Sequence, residues 1–192
     1  MNDVDLTRGI TFQDWLDNIK IDTNKELVQK HYSQTFYLKD LIQKELADIN
    51  YEIYILAIIA EWCGDCHRNV PVLAHIAETI PKINLKLLIK EQNLDLLTTT
   101  NGGEKIPYVL FYGKDGYHIT TWVERPTIAY KKLAELYRRV GFDDKPKISE
   151  GWREIFSEHQ NEFYQATTKE IIEILSRINA IQGTGKRINT TT

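Results

Sequence analysis

The distribution of apolar positions divides the chain into alternating helical and extended segments. After a candidate Thr11 cap, Trp15, Leu16 and Ile19 recur at helical spacing, and weak helical patterns continue to residue 35. Leu38, Leu41, Ile42, Leu46 and Ile49 then form one apolar stripe at intervals of three and four, which predicts a helix. From Tyr51 to Ala60 odd and even positions are both apolar. A strand of that kind is buried on both faces, as in the middle of a helix-covered sheet. Beyond a cysteine pair, Val70, Leu73, Ala74 and Ala77 continue a helical stripe, and Ile83 to Ile89 reads as a second strand. Asn93 to Thr99 predicts a short helix broken at Asn101-Gly102-Gly103.

Two β-rich runs, Tyr108 to Tyr112 and Tyr117 to Val123, flank Gly113-Lys114-Asp115-Gly116 and predict a hairpin. Thr127 to Val140 is amphipathic and closes on Gly141. The order strand–helix–strand–helix–hairpin–helix implies an α/β fold, a mixed sheet with helices on both faces. Gly141 to Gly151 reads as a linker. After it, Trp152, Ile155, Phe156, His159 and Phe163 share one helix face. A further helix carries Ile171, Ile174, Leu175 and Ile178, with Thr167 and Glu170 as its expected capping box. Gly183 to Thr192 reads as a frayed tail.

Composition narrows the function classes. The 192 residues suit one domain with additions, and an apolar fraction of 42% can build a sizeable core. A net charge of −3 lacks the basic excess of a non-specific nucleic-acid binder. Met1-Asn2-Asp3-Val4-Asp5 is acidic and polar, without the apolar run of a secretory signal. No stretch approaches the ~20 apolar residues of a membrane span. A cytoplasmic protein is expected.

The chain has two cysteines, Cys63 and Cys66, two residues apart. A close pair of this kind points to redox or metal chemistry rather than to a disulfide framework. Structural zinc needs four ligands, and no second cysteine pair exists. The five histidines, at 31, 67, 75, 118 and 159, are scattered. Placed between a buried strand and a helix, the pair suits thiol exchange. Cys63 at the helix N-terminus meets unpaired N–H groups and the positive dipole end, which favour a thiolate. Cys66, one turn on, can attack a mixed disulfide formed on Cys63.

Four features in order resemble the thioredoxin family over about residues 37–141. They are Ala60-Glu61-Trp62-Cys63-Gly64-Asp65-Cys66, Pro71 within the following helix, Ile106-Pro107 before a strand, and Lys114-Asp115-Gly116. The resemblance implies a thioredoxin fold with helical extensions over residues 1–36 and 142–182. It implies that Pro107 is cis and packs on the cysteines, that Cys63 is the nucleophile, and that Cys66 is the resolving thiol. Trp62, Gly64, Ile106 and Val123 would form the partner-binding surface. The implied substrate is a disulfide-containing protein. Electrons would return from a separate reductase, since no Gly-rich dinucleotide fingerprint, and so no bound cofactor, is visible.

Departures from the family pattern matter too. A buried acid six positions before the first cysteine and a nearby lysine are common in the family. Ala57 and Leu87 stand at those positions here. Asp65, His67 and Glu61 are the candidates to replace the missing proton acceptor. Asp65 should raise the thiol pKa values and favour a reductant-like potential, below roughly −200 mV. An imidazolium at His67, on the same helix face as Cys63, would pull the other way. Glu124-Arg125 stands where the family often has glycine, and a charged lip there predicts a narrower partner set. A glutaredoxin-like use of glutathione and a non-catalytic binding or chaperone module are the alternatives. The oligomeric state is not legible.

Overall fold

In the computed structural model, residues 5–100 and 104–183 are described. The Asn101-Gly102-Gly103 break and the tail beyond Gly183 lie outside them. Three helices precede the first strand: α1 (Phe12–Asn18), α2 (Asp22–Thr35) and α3 (Leu38–Glu45). Thr11 caps α1 in a reciprocal box with Asp14, and Trp15 and Leu16 are buried beneath it.

The strands are β1 (Ile53–Ile59), β2 (Ile83–Ile89), β3 (Tyr108–Gly113) and β4 (His118–Val123), in the order β2-β1-β3-β4. β2 pairs parallel with β1, while β3 pairs antiparallel with β1 and with β4, so the sheet is mixed. Ile53, Ile55, Leu56, Ala57, Ile58 and Ile59 of β1 are all fully buried, which accounts for a strand apolar on both faces. A bridge between Ile10 and Leu87 closes the β2 edge. Gly9 makes this approach possible, because a Cβ there would lie 2.6 Å from the Leu87 carbonyl oxygen.

Helix α4 (Gly64–Thr79) follows β1 and carries Pro71. A short 3₁₀ turn and α5 (Leu94–Thr100) follow β2, and α6 (Thr127–Val140) follows β4. β2 and α6 cover the residues that the periodicity predicts.

The C-terminal region departs from the sequence reading in two ways. Helix α7 runs from Lys145 to Gly183, so most of the expected 141–151 linker is helical. Asp144 accepts a hydrogen bond from the Lys147 N–H at 3.2 Å and caps the first turn, where Pro146 costs no hydrogen bond. The helix bends at His159 (φ −110°, ψ 16°) rather than restarting at Thr167. Thr167 and Glu170 form no capping box. Both lie inside α7 and bond to other elements, as described below.

The core divides accordingly. A large cluster joins β1 and β3 to α4 and to Tyr164, Ile171, Leu175 and Ile178 of α7. A small one joins Ala129 of α6 to Phe156 and Phe163. Gly151 lets the two helices meet closely, since a Cβ there would come within 2.6 Å of Leu136 Cδ1.

Candidate active site

β1 delivers the chain to the sheet's end, and Cys63 turns it into α4. Cys63 is extended (φ −86°, ψ 111°) and is the N-cap residue, its sulfur accepting the Cys66 N–H at 3.2 Å. Its thiol reaches the Ile106 carbonyl oxygen at 3.4 Å, and the Ile106–Pro107 peptide bond is cis. Both thiols are free.

Burial splits the pair: Cys63 is 7% exposed and Cys66 is fully buried. The Cys66 thiol, donating to the Cys63 sulfur, does most to hold Cys63 below the usual thiol pKa, against desolvation and the charge of Asp65. Burial pushes Cys66 well up, and the neighbouring Cys63 sulfur adds to this. The pair is therefore split, with Cys63 the more acidic thiol and Cys66 the less acidic one. Asp65 opposes ionisation of Cys63, the direction expected of a carboxylate beside the pair, while the net shift at Cys63 is downward.

Asp65 is not a free carboxylate. Arg125, from the loop after β4, donates to it through Nη2 at 2.7 Å, and Arg68 approaches at 3.5 Å. Burial pushes the carboxyl up while both arginines pull it down. Glu124 also takes the Arg125 Nη2 at 2.7 Å, and it accepts from the Tyr130 hydroxyl at 2.8 Å and lies 3.3 Å from Lys105 Nζ. Its φ of 66° lies in the left-handed region that favours glycine. Its N–H donates to the Pro107 carbonyl and its own carbonyl accepts from Asn69, so flanking bonds hold this backbone. The expected charged lip is thus a largely buried network.

His67 also departs from the reading. It is buried, its ring Nε2 donates to the Glu61 carbonyl, and desolvation holds its pKa down. The ring is anchored on that carbonyl, and burial disfavours the imidazolium that would have favoured a thiolate. Glu61 holds the chain just before α2, accepting from the N–H groups of Lys20 and Ile21 at 3.0 and 2.7 Å. Ala57 and Leu87 are direct cross-strand partners, both buried. Loss of a charged pair as a unit leaves no orphaned charge in the core.

Trp62 stands on the rim, 61% exposed, with its Nε1 donating to Glu91 at 3.1 Å. Gly64 is half-buried at the start of α4, Ile106 is buried, and Val123 pairs with Tyr108 at the end of the hairpin. Of these residues, Ile106 bonds to the Cys63 thiol, and Trp62 and Gly64 flank Cys63 along the chain.

Several residues of the site were missed in the sequence. Asn69 donates to the carbonyls of Asp65 and Glu124 at 3.0 and 3.1 Å, and accepts from the Thr167 hydroxyl of α7 at 2.8 Å. Glu170 accepts from Trp122 Nε1 and the Thr127 N–H, both at 2.8 Å, and so caps α6 instead of its own helix. Arg68 lies 3.8 Å from the centre of the Phe156 ring. Only the Asp65/Arg68 spacing of three was a visible signal. Among the described residues, no group of three or more His, Cys, Asp or Glu side chains is placed to hold a metal ion, and no helix is long and apolar enough to cross a membrane.

No curated protein sequence matches the chain. A Pseudomonas aeruginosa protein of unknown function shares 20% identity over 80% of this chain and 95% of its own, with a TM-score of 0.59. Thioredoxin from Fasciola hepatica shares 21% identity over 50% of this chain and 88% of its own, with a TM-score of 0.34. The thioredoxin family model matches residues 9–138. With more than half of the chain matched, a mixed sheet flanked by helices, and the two cysteines close together at a helix N-terminus, this protein belongs to the thioredoxin family.

Proposed function

We propose that the chain is a protein-disulfide reductase in which Cys63 is the nucleophile and Cys66 the resolving thiol. The observation that carries this reading is the asymmetry of the pair. The Cys63 sulfur caps α4 and lies at the Ile106–Pro107 loop, while Cys66 is sealed behind it. In the first step the Cys63 thiolate attacks one sulfur of a substrate disulfide. A mixed disulfide forms, and the other substrate sulfur leaves as a thiolate that takes up a proton. Cys66 then loses its proton and attacks the Cys63 sulfur. The intramolecular disulfide forms, and the second substrate sulfur leaves reduced. Two electrons have passed to the substrate, and a separate dithiol reductase in the cytoplasm restores the pair.

Trp62, Gly64, Ile106 and Val123 form the docking surface in this reading. The partner set is narrow, because α7 walls the site beside Arg125, with Trp152 5.0 Å from its guanidinium. One observation favours a second reading, a binding module without turnover: the buried pair at Ala57 and Leu87 has no polar atom to take the Cys66 proton. Reduction of insulin disulfides, driven by dithiothreitol, separates the two. Wild type should accelerate it, Cys63→Ser should abolish it, and Cys66→Ser should accumulate a mixed disulfide with substrate. Equal partner capture by wild type and Cys63→Ser, with no reduction by either, would establish the binding module instead.

A further inference from the structure

We infer that Arg125, with Arg68 behind it, is a positioning residue that keeps the Asp65 charge neutralised beside Cys63. The inference rests on reading Cys63 as the nucleophile. It starts from a conflict in the active-site run. A carboxylate placed between two exchanging cysteines works against the thiolate that the chemistry needs. The fold resolves the conflict by bringing a guanidinium from a distant element.

Arg125 Nη2 lies 2.7 Å from Asp65 Oδ2, and the two side chains are 12% and 13% exposed. Charge-assisted bonds of that length are among the strong ones, and exclusion of water strengthens them. Water is excluded by aromatic residues. Arg125 lies 5.0 Å from the Trp152 ring and 5.6 Å from the Tyr130 ring, and Arg68 lies against Phe156. Both guanidinium Nε atoms are buried and have no hydrogen-bond partner among the described residues. The ion pairs run to the carboxylates in front of them, from Arg125 to Asp65 and Glu124 and from Arg68 to Asp65.

The charged and titratable groups around Asp65 come from every neighbouring element. Cys63, Cys66 and Arg68 lie on its own helix, and Arg125 and Glu124 on the loop after β4. Tyr130 comes from α6, Tyr164 from α7, and Lys105 reaches Glu124 from the Pro107 loop. Among these, Arg125 and Arg68 are the cations that touch Asp65. Glu124 takes the same Arg125 nitrogen and fixes where the guanidinium sits. The left-handed backbone at Glu124 puts the two side chains of one dipeptide into this arrangement.

The test is the pH profile of Cys63 alkylation by iodoacetamide in the reduced full-length chain, with the modified cysteine assigned by peptide mass. Arg125→Gln should move the midpoint upward by about one unit, close to a tenfold loss of rate below the midpoint. Arg68→Gln, which leaves the Arg125 loop in place, should move it the same way by about threefold in rate, and it keeps the inference open to refutation if Arg125→Gln fails to fold. Arg125→Lys should restore most of the rate. In an Asp65→Asn background, Arg125→Gln should change the rate by less than about twofold, because the target of the pairing is gone. Profiles of Arg125→Gln and Arg68→Gln that superimpose on wild type would overturn the inference. So would an equal shift from Arg125→Gln in the Asp65→Asn background. Alkylation does not depend on substrate turnover. A chain that shows the shift yet reduces no insulin would refute the proposed function and leave the role of Arg125 standing.

Discussion

Asn69 joins three elements through one amide, and replacing it with leucine tests whether that junction holds the site together. Leucine has nearly the same shape, so the change removes polar atoms without opening a large cavity. Two groups lose their partners: the hydroxyl of Thr167, which is fully buried, and the Glu124 carbonyl. The Asp65 carbonyl already accepts within α4, so its loss costs little. A buried polar group left unmatched costs about 1–3 kcal/mol, and the threonine hydroxyl can turn back to a carbonyl of its own helix. The expected loss is therefore roughly 2–4 kcal/mol, or about 5–15 °C in Tm for a chain of this size. Urea unfolding followed by circular dichroism measures it. Thr167→Val supplies the second arm of a cycle. Alone it should cost about 1 kcal/mol, but on top of Asn69→Leu it should cost nothing or stabilise, a coupling of about 1–2 kcal/mol. Additive losses, or a loss below about 0.5 kcal/mol for Asn69→Leu, would refute the reasoning.

Two further outcomes follow from buried groups. Glu170→Ala strands Trp122 Nε1 and uncaps α6, and should cost roughly 1–3 kcal/mol in urea unfolding; an unchanged midpoint would remove the cross-helix cap from the account. Stability should also fall as the solution is acidified from neutral. His31 is held down to about 3, by burial first and then by Arg68, His67 and Lys30, and burial also holds down His67, His75 and His118. Each folded-state value lies below that of the unfolded chain. The unfolded chain therefore binds more protons in this window, and the stability present above about pH 6.5 drains away toward pH 3, at up to about 1.4 kcal/mol per pH unit for each fully depressed histidine. Asp65, whose carboxyl is raised, works the other way at lower pH. His31→Gln should flatten the slope between pH 6.5 and 5, and an identical slope would contradict this assignment.

The parts of the fold that were legible are those in which one short segment sets its own environment. β1 shows its two-sided burial in consecutive apolar residues, and Thr11 caps a helix that begins at the next residue, although its reciprocal bond with Asp14 was not foreseen. The cysteine pair was legible for the same reason, since a helix N-terminus and a one-turn spacing are local. What failed was long-range. Asp144 and Pro146 together mark a helix start, but between two glycines they read equally well as a linker. Thr167 and Glu170 have capping-box spacing, yet their bonds go to Asn69, Trp122 and Thr127, which no window around residue 167 contains. The pairing of Asp65 with Arg125 spans 60 residues and depends on how the hairpin meets α4. His67 was misread because helical spacing places it on the Cys63 face without saying whether that face is wet.

The bend of α7 at His159 has a mechanical consequence. Downstream of it, Tyr164, Ile171, Leu175 and Ile178 are sewn into the main core, whereas Trp152, Ile155 and Phe156 upstream rest on the small cluster beside α6. The two lengths are anchored with unequal strength, and the weaker one roofs both guanidiniums. Local opening of the upstream length would break fewer core contacts than opening of the downstream one, and it would expose Arg68 and Arg125 to water together.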